Sequence, residues 1–193
     1  ASFSANAGIT SFQHSFFDNF SMNLIRNLKN KKVEIETFNL SYPGIKFKEK
    51  TQELKNKIND YNPDSVIFSF YVEPEEHEIF KDFIHYLNQK NIIAFYIFPI
   101  INPELINIPK GQSLTSELLL GPELVSLNEL IINMKDKNSV HFLNSNQIAL
   151  DLNFSSKGIL WWDMGHMTPF GQELLSDELS KNINAILNKK GEH

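Results

Sequence analysis

Asp163 stands three residues before His166 in the run Trp161-Trp162-Asp163-Met164-Gly165-His166-Met167-Thr168-Pro169-Phe170-Gly171-Gln172. A carboxylate at that spacing, in a loop entering a helix, can hold the imidazole at Nδ1. That fixes the tautomer and leaves Nε2 free as a general base. A base of this kind activates a nucleophile, and because the chain has no cysteine, a hydroxyl is the natural choice. Trp161 and Trp162 beside the Asp would serve either as a sugar-stacking or acyl-binding wall or, as is more usual for such aromatics, as core. His14, His77, His85 and His141 are scattered without a metal-ligand spacing, so no metal site is expected. Glu73, Glu75 and Glu76 flank Pro74. They suggest a carboxylate pair, but a solvated acidic helix N-terminus accounts for them better, since negative charge is favoured there.

The elements that must position these residues follow from apolar periodicity. Phe16, Phe20, Leu24 and Leu28 mark a helix over about 12–29, and Val33 to Leu40 reads as a strand leaving through Asn39-Leu40-Ser41-Tyr42-Pro43-Gly44. Phe47, Thr51, Leu54, Ile58 and Tyr61 fit the next helix, and Ser65 to Tyr71 a short buried strand. A helical stripe over Ile79–Leu87 precedes the most apolar strand, Ile92 to Phe98. Residues 99–121 are punctuated by proline and expected to be irregular. Pro122 opens a helix over about 122–136, Val140 to Leu143 is a strand, residues 144–165 read as a long functional loop, and Gln172 to Leu187 closes as a helix.

Alternating strands and helices of this length imply a three-layer α/β/α domain with a parallel sheet of flavodoxin-like order. The 193 residues suit one domain over 1–193. Only four strands are visible, and in that order the first strand lies inside the sheet. A strand is therefore expected from an upstream segment or from a second chain, because its absence would leave two sheet edges open.

Composition narrows the partners. The formal net charge is −5, which disfavours binding to nucleic acid, and no apolar run approaches the ~20 residues of a transmembrane helix. The compartment stays open between cytoplasm and periplasm or secretion, because lack of cysteine suits any of them.

The segment from Asp163 to Gln172 resembles the last sequence block of the SGNH/GDSL hydrolases, in which Asp-x-x-His is followed by Thr or Asn, a Gly and a helix. The family's first block is Gly-Asp-Ser-(aliphatic or Phe)-(Ser/Thr), and the chain here begins Ala1-Ser2-Phe3-Ser4. The resemblance implies Ser2 as nucleophile, with Ala1 where the family has an Asp outside its triad. It also implies a strand ending just before Ala1, where the sheet argument needs one.

The family's second block centres on a Gly whose N–H helps form the oxyanion hole, and Gly44 matches it. The third block, Gly-x-Asn-Asp, is replaced here by Phe68-Ser69-Phe70-Tyr71-Val72-Glu73-Pro74. The Asn that donates to the oxyanion is absent, and Asn6 and Tyr71 are the candidate substitutes. The resemblance thus implies a serine esterase or acyltransferase without a cofactor. Ser2, His166 and Asp163 form its triad, and the Ser2 and Gly44 amides its oxyanion hole. Its substrate is a small-molecule, carbohydrate or lipid ester, which includes O-acetyl esters. The altered third block leaves an alternative, a catalytically degenerate domain of the same fold used for binding or assembly.

Overall fold

The computed structural model describes Asn23, Arg26, 46–69, 72–97, 125–127, 129–134, 140–156, Leu160, Trp161 and 167–190. The chain forms two compact units, one of Gly44–Pro99 with Ile108–Asn146, the other of Ala1–Pro43, Ile100–Asn107 and Gln147–His193.

In the first unit, helix α1 (Phe47–Tyr61) buries Phe47, Thr51 and Ile58 at the spacing that a single helix face requires. Thr51 is tolerated inside because its hydroxyl donates to the Phe47 carbonyl at 2.8 Å. The helix ends at Asn62, whose left-handed φ of 46° turns its N–H onto Ile58 O. Strand β1 (Ser65–Phe68) follows. A 3-10 turn at Pro74–Glu76 then leads into α2 (His77–Gln89). Asn91, at φ 58°, reverses the chain into β2 (Ile93–Ile97), and β3 is Val140–Leu143. Between β2 and β3, residues 125–127 and 129–132 are helical and lie within the expected 122–136.

The fold is mixed α/β, with a three-stranded parallel sheet in the order β1-β2-β3. Ser65 pairs with Ile93 and Phe68 with Tyr96, while Ala94 pairs with Val140 and Ile97 with Leu143. Three successive strands in chain order are what one side of a flavodoxin-like sheet contains. Consecutive residues Phe95 and Tyr96 of β2 are both fully buried. Side chains alternate across a strand, so both faces of the central strand are excluded from water.

The core of this unit is aromatic. Phe47 of α1 meets Phe83 of α2 edge-on at 5.5 Å, Phe68 of β1 meets Phe83 at 5.7 Å, and Tyr96 of β2 meets Phe68 at 5.3 Å. Such pairs add about 0.5–1.5 kcal/mol each beyond area burial. Among the described residues β1 is paired on one side only. The expected strand over 33–40, and the further strand that was to lie between it and β1, fall outside the described residues.

One expectation is corrected. Residues 144–165 do not form a long loop, because Ser145–Ser156 is a helix, α3. Its Asn and Ser content hides it from periodicity, yet Ser145, Asn146, Ala149 and Leu150 are all buried. Tertiary burial outweighs the weak local propensity, and Gln147 Nε2 adds a hydrogen bond to Asp151 Oδ1 one turn on, at 2.8 Å.

In the second unit the long helix α4 (Pro169–Lys190) buries Leu175, Leu179 and Ile183 together with Gln172, Ser176 and Ser180. Asn23 and Arg26 are helical, within the expected 12–29. Among the described residues no helix is long and apolar enough to cross a membrane.

Candidate active site

The residues expected to carry the chemistry, Ser2, Gly44, Asp163 and His166 with the candidate donors Asn6 and Tyr71, lie outside the described residues. The structure does describe residues that flank some of them in the chain.

Asp163 and His166 belong to a five-residue connection, 162–166, closed at its base. Trp161 and Met167 face each other in an isolated antiparallel bridge, and the Thr168 N–H donates to Leu160 O at 2.8 Å. The chain then enters α4 at once. Pro169 takes the first helical position, where no N–H is needed. Thr168 is the N-cap, its Oγ1 accepting from the Gly171 N–H at 3.1 Å. The helix therefore starts three residues before the expected Gln172, because Thr-Pro-x-Gly is itself a start signal. Gln172 locks the junction from inside, with Nε2 donating to Met167 O at 3.2 Å. Its Oε1 is buried and has no hydrogen-bond partner. Trp161 is only 8% exposed, which makes its ring core rather than an open wall. Trp162 lies outside the described residues.

The helix that follows Ser2 is fastened to this same α4. Asn23 Nδ2 donates to Ser176 Oγ at 2.8 Å, and both side chains are buried. Arg26 pairs with Asp177 Oδ1 at 2.8 Å, and Lys181 takes the other oxygen, also at 2.8 Å. The Lys181 hydrogen bond, with Arg26 behind it, holds the Asp177 carboxyl below its ordinary range, and Asp177 in turn raises Lys181. Asn23 and Arg26 are thus tied to the same helix that the Thr168 cap begins.

The segments flanking Gly44 and Tyr71 are supported within the first unit. Lys46, two residues after Gly44, places Nζ 2.8 Å from Glu73 Oε2, and Glu73 is two residues after Tyr71. The Lys46 hydrogen bond lowers the Glu73 carboxyl, and the same contact raises Lys46. Here a second expectation is corrected. The acidic segment at Pro74 is not solvated throughout, because Glu76 is completely buried. Its Oε1 accepts from the Lys48 N–H and its Oε2 from the Glu73 N–H, each at 3.1 Å. Two helix-start amides satisfy the carboxylate, which is why it can leave water.

Sequence reasoning also passed over Ser69, directly after β1, whose buried Oγ has no hydrogen-bond partner. It sits at the carboxyl end of a parallel strand, the edge where such sheets place ligands, and that position was the available signal. No protein-family model, curated protein or solved structure matches the chain.

Proposed function

We propose that the protein is a serine esterase or acyltransferase of the SGNH type. Ser2 Oγ attacks the acyl carbonyl carbon while His166 Nε2 takes its proton, and Asp163 at Nδ1 orients and stabilises the resulting imidazolium. The negative oxygen of the tetrahedral intermediate is met by the Ser2 and Gly44 amides, with Asn6 or Tyr71 as a third donor. Collapse expels the alcohol, which leaves with the proton from His166. Water or a second hydroxyl then releases the acyl group from Ser2 by the same steps in reverse. Nothing in this chemistry calls for a cofactor.

The observation that supports the reading most is the double anchoring on α4. The loop with Asp163 and His166 runs straight into the Thr168 cap, and the helix downstream of Ser2 bonds the same helix through Asn23 and Arg26. A triad drawn from opposite ends of a chain needs such a common support. The replaced third block, Phe68 to Pro74, favours the second reading, a degenerate domain that binds without turnover.

Hydrolysis of a simple acyl ester separates the two. Ser2→Ala and His166→Ala are each expected to lower kcat/KM by about 10³-fold or more, as triad losses do. Changes at Tyr71 or Asn6 are expected to lower it less. Ester cleavage that survives both triad substitutions contradicts the assignment, and binding of an acyl ester without any turnover supports the degenerate domain.

A further inference from the structure

Gln172 lies in the first turn of α4 and is 1% exposed. Its Nε2 donates to Met167 O at 3.2 Å, which turns the side-chain amide back onto the start of its own helix. The other atom of that amide, Oε1, is buried, and among the described residues nothing donates to it. Leu160, Met167 and Thr168, which make up the same junction, are buried as well. A buried acceptor in a folded protein almost always has a donor, because an acceptor taken from water unpaired loses its hydration with no return.

The junction restricts what that donor is. Oε1 and Nε2 share one carbon, so Met167 O stands close enough to Oε1 for one small molecule to touch both. Met167 O uses one lone pair on Gln172 Nε2 and keeps a second. A guest here meets two acceptors and needs two protons to give. An ammonium has them, but it would be a buried charge at the positive end of the α4 dipole. The first turn of α4 has no acidic residue to balance it. An alcohol brings a single proton. Water is the smallest neutral molecule that brings two.

We infer that the start of α4 binds one internal water, which donates to Gln172 Oε1 and to Met167 O. It completes the closure at the base of the 162–166 connection, together with the Thr168 N–H bond to Leu160 O. The inference does not rest on the serine-esterase reading and stands or falls without it.

The test is a crystal structure of the full chain, at a resolution that shows ordered waters and from crystals grown without glycerol or other alcohols. Oxygen-17 relaxation dispersion, which counts long-lived internal waters in solution, accompanies it. The expected map shows a single oxygen about 2.7–3.2 Å from both Gln172 Oε1 and Met167 O. In solution Gln172→Leu, similar in size and without a polar atom, should remove one water from the count. A map that shows other internal waters but none at Oε1 overturns the inference, and so does a protein donor bonded to Oε1. Density that appears only after glycerol is added marks an adventitious additive only and overturns it too. An unchanged count in folded Gln172→Leu has the same consequence. If Gln172→Leu does not fold, the map of the unaltered protein decides by itself.

Discussion

A β-carbon on Gly171 would stand 2.4 Å from the carbonyl oxygen of Leu160 and 3.1 Å from the Met167 methyl. The methyl can swing aside, but the carbonyl cannot, because it is held by the Thr168 N–H. Gly171→Ala therefore forces apart the junction that closes the Asp163–His166 loop. The expected cost is about 1–3 kcal/mol of stability, as for other overpacked sites, with a fall in ester turnover that exceeds the loss of folded protein. Urea denaturation beside kcat on the folded fraction checks both. Individual residues were unevenly legible. The helix start at Thr168-Pro169-Phe170-Gly171 fits within one short motif and could be read from it, whereas Asp163 and His166 lie outside the described residues. Glu76 was misread as solvated, because one of its two partner amides, that of Lys48, is 28 residues away, and the local Glu73–Glu76 capping spacing does not report burial. A further hint was the start of α1 at Lys46-Phe47, a helix beginning with no side-chain cap.

At the scale of elements, α4 is the member on which the account depends, and its tie to the N-terminal helix is electrostatic at the surface and polar within. The Asp177 carboxyl is held below its ordinary value of 3.8, first by Lys181 and then by Arg26. A depressed carboxylate adds stability above that ordinary value, and the contribution is lost as pH falls through its lower folded value. Arg26 and Lys181 are more than half exposed, so solvent screening keeps the network to about 1 kcal/mol or less. Asp177→Asn is accordingly expected to lower stability modestly at neutral pH. The gap between the two proteins should close as pH drops below the usual aspartate range. Thermal melts of both across that range test the sign, and a gap that widens in acid contradicts it. The three described strands and α1 and α2 were readable from spacing alone, since each buries an apolar stripe or run against one aromatic core. α3 was not, because its buried face mixes Ser145 and Asn146 with Ala149 and Leu150, leaving no apolar period to detect.

For the whole molecule, the parallel α/β class was legible because alternating helix and strand patterns admit few other arrangements. The proposed chemistry rests on local motifs alone. The proposed nucleophile stands near one end of the sequence and the proposed base near the other, and no spacing reports the distance between such residues in a fold. The central claim is that Ser2 is an activated nucleophile, and fluorophosphonate labelling tests it most directly, since the probe reacts with a serine whose proton is being withdrawn. The account predicts a single modified residue, mapped to Ser2, with labelling abolished by His166→Ala and strongly slowed by Asp163→Asn. Modification at another serine, or labelling of Ser2 that is indifferent to His166, would contradict it.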